Sequence, residues 1–325
     1  MTKRGGTYAP EAGYLKGRLE RMEELQDPAM PHYVLNEYTP LLDSANMRPP
    51  DWATIALDIA SNYDDFDGFV VLHGTDTMAY TASALSFMLE NLAKPVILTG
   101  SQLPLAEVRS DARENLITSL LLAAHETLPE VCLYLSGTLL RGNRSTKVSA
   151  SGFDAFASPN FPPLGRVGVS ITVEPTLIRA PGERPLSVQA LENVPIAALR
   201  LFPGISAASL ENFLLEPIRG LVLETYGAGN APAVDGALLE VLRRACERGV
   251  VIVNCTQCLH GAVDMSGYAT GGALRAVGVV SGFDMTPEAA LTKLLYLFSQ
   301  GLAPEVVREE VGRDLRGELS RPASV

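Results

Sequence analysis

The sequence predicts an α/β fold of two domains, each a mainly parallel sheet flanked by helices, the larger first. Short apolar runs alternate with helix-length segments of 3.6-residue period, the pattern of parallel strands joined by crossover helices. The alternation lapses over residues 159–195, a stretch rich in Pro and Gly, and then resumes. A chain of 325 residues, 47% hydrophobic and 19% charged, is long and apolar enough for two cores. The expected division is a domain at 1–158, a connector at 159–195 and a domain at 196–325.

In chain order, residues 14–25 read as a helix and 32–37 as a strand. Pro49-Pro50-Asp51 marks the start of a helix running from Trp52 to Tyr63. Residues 69–72 (FVVL) read as a buried strand, after which Gly74 permits a sharp turn. A helix then begins at Thr75-Asp76-Thr77 and continues as an apolar stripe through Met78, Ala82, Leu85, Met88, Leu89 and Leu92. Two readings of Thr75 and Asp76 stand together here. Both residue types are favoured helix caps. Equally, ligands of open α/β sheets bind at strand carboxyl ends, where free helix N–H groups add to the site. Residues 95–98 form the next strand, followed by the polar turn Thr99-Gly100-Ser101-Gln102. A helix capped by Ser110 runs to His125, and 131–135 is a further strand. In the second set, strands fall at 197–201, 221–224, 250–254 and 277–280, and helices at 206–215, 234–248 and 287–300.

The formal net charge of −11, with no offsetting Lys/Arg cluster, excludes a nucleic-acid partner. The apolar runs are strand length, too short for a membrane span. The start, MTKRGGTYAPEAGYL, has no apolar h-region and is not a secretory signal. A cytoplasmic protein is expected. Four cysteines make no disulfide framework in a chain this long. Cys255-Thr256-Gln257-Cys258 has redox spacing, and His260 with Cys246 would extend it to a zinc set. The segment that follows is loop-like, offering no helix N-terminus for a thiolate, and there is no second paired motif. No metal is expected.

The string HGTDTMAYTASALSFMLENL resembles the asparaginase/glutaminase family, specifically the cytoplasmic bacterial type I L-asparaginases. EYTPLLDSANM, KPVILTGSQLPL, RSDARENL, RGNRSTK, GFDAFASPN, YGAGNAP, NCTQC and LRGEL support it in order along the chain. The resemblance implies hydrolysis of L-asparagine to L-aspartate and ammonia through a threonine acyl-enzyme, without cofactor, by a homodimer or homotetramer. It implies that Thr75, Asp76 and Lys147 handle protons at the site, a role a lysine can fill as base only where burial or a nearby cation lowers its pKa. Asp76 would also meet the substrate α-ammonium and Ser44 its α-carboxylate. Asn230 would reach across to a neighbouring subunit's site, and Tyr8 would belong to the lid.

Gly5-Gly6-Thr7 is similar to the family's nucleophile loop, but the residues after it match the lid that follows that loop. Thr7 is therefore read as a turn residue. The first strand and the attacking threonine are expected upstream of Met1. The alternative is a family member that has lost both and binds an amino acid without hydrolysing it. A glutaminase or a Glu-tRNA amidotransferase relative is a further alternative, the latter disfavoured by the acidic balance.

Overall fold

The computed structural model describes residues 2–4, 7–9, 11–234, 236–267 and 269–321, with side-chain environments from residue 11 onward. Two compact units are present: Met1–Ser158 with Pro162–Val188, and Pro159–Phe161 with Gln189–Val325.

The first unit opens with an antiparallel hairpin, β1 (Thr2–Arg4) and β2 (Thr7–Ala9). Helix α1 (Tyr14–Leu19) is shorter than the 14–25 predicted, and the rest of that stretch tightens into a 3-10 turn, Glu23–Gln26. Leu19, Met22 and Leu25 nevertheless bury one apolar cluster with Leu116. The strand predicted over 32–37 does not form. Asn36 and Tyr38 instead donate to Asp58 of α2 (Pro49–Ser61), each at 3.0 Å. Pro49 opens α2, where a missing N–H costs nothing, and Asp51 accepts the Arg48 N–H at 2.8 Å.

The unit continues through β3 (Phe69–Leu72), α3 (Met78–Met88), β4 (Leu89–Glu90), β5 (Val96–Thr99) and α4 (Ala112–His125). After these come β6 (Val131–Leu135), β7 (Thr138–Arg141), β8 (Thr146–Lys147) and β9 (Phe156–Ala157), then β10 (Gly165–Val167), β11 (Ile171–Val173) and β12 (Ser187–Val188). The main sheet has the order β11-β10-β7-β6-β5-β3. Pairing is parallel from β3 through β5 to β6 and antiparallel beyond. The direction reverses because Ser136 and Gly137, both at positive φ, close a two-residue hairpin between β6 and β7. Helix α3 is buried all round apart from Tyr80, and is not the one-sided stripe predicted. Its Ala and Ser residues let α2, β6 and the turn Gly142–Arg144 all pack closely against it. Residues 159–195 are more than a connector. β10 and β11 extend the main sheet and β12 pairs with β4, in strands too short to show a period.

The second unit holds β13 (Ile196–Arg200), α5 (Ala207–Phe213), β14 (Gly220–Thr225), α6 (Ala237–Glu247) and β15 (Val251–Thr256). Helix α7 (Ala269–Ala276), β16 (Val280–Ser281), α8 (Pro287–Ser299) and α9 (Pro304–Val311) complete it. Its sheet, β13-β14-β15-β16, is parallel throughout. Leu221, Leu223 and Ile252 of the sheet share a core with Leu238, Val241 and Leu242 of α6. Helix α8 packs on β13, β14 and β15 and carries Lys293, fully buried against Glu318 at 2.5 Å.

Candidate active site

The site is built where β3 hands over to α3. Strand β3 ends at Leu72, and the next N–H, of His73, donates to the Thr99 carbonyl at 2.8 Å, carrying the parallel ladder one residue further. Gly74 then turns against Ser44. A Cβ at this position would collide with the Ser44 hydroxyl and lie 2.8 Å from the Ser44 Cβ, so only glycine fits. Helix α3 starts at Met78 with Thr77 as its N-cap residue. The Thr77 hydroxyl makes no cap bond; it donates to the Ser44 carbonyl at 2.7 Å. Neither Thr75 nor Asp76 caps the helix, and both side chains engage other partners.

Those partners are Lys147 and Gln102. The Lys147 ammonium donates to Thr75 Oγ1 at 2.9 Å and to Asp76 Oδ1 at 2.8 Å. The Thr75 hydroxyl in turn donates to Gln102 Oε1 at 2.9 Å. Lys147 lies on β8, paired with Phe156 of β9. It is brought there by the buried turn Gly142–Arg144, in which a Cβ on Gly142 would crowd Ala82 of α3 at 3.2 Å. The lysine side chain is 21% exposed and the Asp76 carboxylate 68% exposed, so the ion pair runs from the protein surface into the site. A solvated pair of this kind adds little to stability. Its value is positional: one cation holds a hydroxyl and a carboxylate within a few ångströms.

The Gln102 loop is held with unusual thoroughness. Asp111 accepts from the backbone N–H of Gln102 at 3.1 and 3.0 Å and from that of Leu103 at 3.0 Å. Asn115, buried in α4, donates to the Gly100 carbonyl at 3.0 Å and to Asp111 Oδ2 at 3.1 Å, while its oxygen accepts the Ser136 N–H at 3.0 Å. Gly100 has no room for a side chain: a Cβ would strike the His73 carbonyl and lie 2.9 Å from Met78 Cε. The sequence signals Asp111 only as an acid in the first turn of a helix. The structure makes it the N-cap residue of α4 with its carboxylate spent on the loop amides.

Behind the site runs a chain of three side chains. The Trp52 indole N–H donates to Thr81 Oγ1 at 3.0 Å, Thr81 Oγ1 lies 2.9 Å from His73 Nε2, and His73 Nδ1 lies 2.6 Å from the Gly74 carbonyl. A carbonyl only accepts, so Nδ1 carries the proton and Nε2 accepts from Thr81. Burial lowers the His73 pKa, partly opposed by its bond to Gly74, which keeps this neutral tautomer in place.

Ser44, expected at the site, is buried against Gly74 at the start of the 3-10 turn Ser44–Asn46, beside the turn that bears Thr75. Asn230, in the second unit, closes a turn by exchanging backbone bonds with Tyr226 and accepts from Thr270 Oγ1 at 2.5 Å. The side chain of Tyr8, on β2, lies outside the described residues. Cys255 is buried in β15, where burial pushes its thiol up and Glu224 and Glu288 add to the effect, whereas Cys258 is exposed. The two do not form a matched redox pair. Among the described residues no group of three His, Cys, Asp or Glu side chains could hold a metal ion.

Residues 1–179 match the family model described as Asparaginase, N-terminal, and residues 195–310 match the Glutaminase/Asparaginase C-terminal domain. The chain belongs to the asparaginase family. It is 54% identical over 313 residues to L-asparaginase 1 of Escherichia coli K12, covering 96% of this chain and 92% of that one. It is also 50% identical over 294 residues to the 60 kDa lysophospholipase of Mus musculus, covering 90% of this chain but 52% of that protein. Among solved structures, L-asparaginase I from Vibrio cholerae superposes with a TM-score of 0.92 at 49% identity, covering 99% of this chain and 95% of that one.

Proposed function

We propose that this chain hydrolyses L-asparagine to L-aspartate and ammonia, with Thr75, Lys147 and Asp76 as its proton-handling set. The observation that carries the reading is the single ammonium of Lys147, bonded at once to Thr75 Oγ1 and Asp76 Oδ1. Family membership and the high similarity to proteins named L-asparaginase support it.

In this reading a threonine hydroxyl attacks the side-chain amide carbon, and the C–N bond breaks as ammonia leaves. Water then opens the ester, giving aspartate and restoring the hydroxyl. Thr75 is not assigned the attack, because its hydroxyl gives its proton to the Gln102 amide oxygen, which is no base, while Lys147 donates to it. It relays a proton between the attacking hydroxyl and the leaving nitrogen, with Lys147 as the adjoining donor. The exposed Asp76 carboxylate meets the substrate α-ammonium, and Ser44, packed on the same turn, meets the α-carboxylate. Asn230 completes a neighbouring subunit's site and Tyr8 belongs to the lid, so the working form is a cytoplasmic homo-oligomer. Among the described residues no helix is long and apolar enough to cross a membrane.

Thr75→Val tests the reading. It keeps the shape of the side chain and removes its proton, and ammonia release from L-asparagine should fall by about 10³-fold or more while the fold and assembly persist. Near-normal release by a folded variant would overturn the assignment. A wild-type protein that binds L-aspartate yet releases no ammonia would instead be an amino-acid-binding relative. Measuring release from L-glutamine beside L-asparagine separates an asparaginase from a glutaminase.

A further inference from the structure

We propose that Asn254 is a positioning residue, acting through the turn that carries Asn230; the inference rests on the reading above in which Asn230 completes a neighbouring subunit's site. Asn254 is a polar interruption of β15, where Val251, Ile252, Val253 and Cys255 are its companions along the strand. It is fully buried on an interior strand of the parallel sheet, a place an apolar side chain fills without cost. A buried amide is expensive unless its two ends are bonded. Here the Thr225 hydroxyl, also fully buried, donates to Asn254 Oδ1 at 2.7 Å, and Asn254 Nδ2 donates to the Gly229 carbonyl at 3.1 Å. A carbonyl only accepts, so the N–H2 end must face Gly229 and the oxygen end must take the Thr225 proton. Neither bond belongs to a strand ladder. What the amide secures is the turn after β14.

That turn is held at its other end by the same strand. Thr256, two residues beyond Asn254 and so on the same face of β15, donates to the Gly227 carbonyl at 2.6 Å. Tyr226 and Asn230 close the turn through reciprocal backbone bonds at 2.9 and 2.8 Å. Between them Gly227 and Gly229 both take positive φ, 50° and 109°. Glycines give the backbone freedom as well as shape, so a turn built on two of them holds one conformation only if something outside it does the holding. Gly229 is seated directly on the amide: a Cβ there would lie 2.8 Å from Val263 Cγ1 and 3.1 Å from Asn254 Nδ2. The Thr270 hydroxyl engages the side-chain oxygen of Asn230 at 2.5 Å, so a ligand at Asn230 meets its N–H2 donors. Asn254 thus sets where those donors stand.

The experiment uses the double variant Thr225→Val/Asn254→Leu. It replaces both partners of one buried bond by apolar groups of similar shape, which leaves the fold nearly as stable, while the Gly229 carbonyl loses its donor. For ammonia release from L-asparagine, kcat/KM should fall at least about tenfold. Complementation separates this from a merely structural role. Thr75→Val spoils its own chain's site and keeps a sound Asn230 turn, and the double variant does the reverse. Co-expressed in equal amounts and paired at random, the two should recover about a quarter of the wild-type rate, because about one site in four joins a sound Thr75 to a sound neighbouring turn. Thr225→Val alone loses only the hydroxyl that orients the amide. It should lose at least about threefold and complement likewise, and it carries the test if the double variant does not fold. Rates within about twofold of wild type in the folded variants, or a loss that Thr75→Val does not complement, would overturn the proposal. Asn230→Ala, run in parallel, keeps the two readings apart. If it is impaired and complements while the others do not, the proposal alone falls. If it keeps the wild-type rate, or the wild-type protein releases no ammonia, the underlying reading falls and takes the proposal with it.

Discussion

Glu318→Gln is expected to destabilise the protein far more than any surface substitution, although residue 318 is remote in sequence from Thr75, Asp76 and Lys147. Lys293 and Glu318 are both fully buried and paired at 2.5 Å. The ammonium also donates to the Val311 carbonyl at 2.9 Å and to that of Arg313, while the carboxylate accepts the N–H groups of Leu315 and Arg316 at 3.0 and 2.6 Å. The pair thereby fastens the segment after α9 onto α8. Gln at 318 preserves the shape, removes the counter-charge and turns a donor toward donors. Breaking one partner of such a pair costs about 3–5 kcal/mol. The upper end has an independent bound, since the stranded lysine can escape by losing its proton, at about 1.4 kcal/mol for each of the roughly 3.4 pH units between 7 and its ordinary pKa. With about 2 cal/mol/K of unfolding entropy per residue, a unit of about 140 residues should lose about 11–18 °C in Tm. Urea unfolding at pH 7 measures the free energy directly. Acid supplies a second reading. Burial pushes the Glu318 carboxyl up, but Lys293 and the two N–H groups outweigh it and hold it below the usual range. Its contribution is therefore full above about pH 4.3 and is lost as pH falls through the lower folded value, a slope that Glu318→Gln should lack. A loss under about 1 kcal/mol, with the acid slope retained, would refute the reasoning.

Other positions give sharper tests of the site itself. Gly100→Ala forces a methyl into the His73 carbonyl, and should cost about 1–3 kcal/mol and lower kcat more than it raises KM, since the Thr75 turn and the Gln102 loop move apart together. Chemical denaturation paired with ammonia-release kinetics checks both halves. His73 is neutral when folded, with its pKa lowered by burial, so the unfolded chain takes up the proton first and stability declines as pH falls below about 6.5. His73→Asn should flatten that decline between pH 6.5 and 5 in a urea series. Trp52→Phe removes only the donor to Thr81 and should cost about 1 kcal/mol in the same assay.

The sequence read well wherever chemistry and backbone signal coincided locally. Strands 69–72 and 131–135 are found with the predicted bounds because each is a short run of apolar residues between clear breaks. Thr75, Asp76 and Lys147 came from a family resemblance, since nothing in their spacing says that a lysine 71 residues beyond Asp76 will reach it. The strand predicted at 32–37 failed for a different reason. Its short run Tyr33-Val34-Leu35 suited a strand, but Asn36 and Tyr38 found Asp58 instead of a ladder. Helices α7 and α9, each eight residues long, offer too little period to stand out.

What stayed illegible was the support around Thr75, Asp76 and Lys147, and the cause is that the same residue types serve helix ends and tertiary clamps. Asp111 has the position and chemistry of a residue suited to a helix dipole, yet its carboxylate faces away to the amides of 102 and 103. Asn115 reads as a polar residue on a helix, while its amide joins three separate segments. Thr77 sits at the N-cap and spends its hydroxyl on Ser44. In each case the local role was open and a distant partner took it. At Thr77 and Asp111 the exchange leaves a helix start without its ordinary side-chain cap, a concession of about 1 kcal/mol. Two such concessions, at the starts of α3 and α4, flank one small site. They fix the loop that bears Gln102 and the turn that bears Thr75 against each other, a placement that an uncommitted loop would not keep.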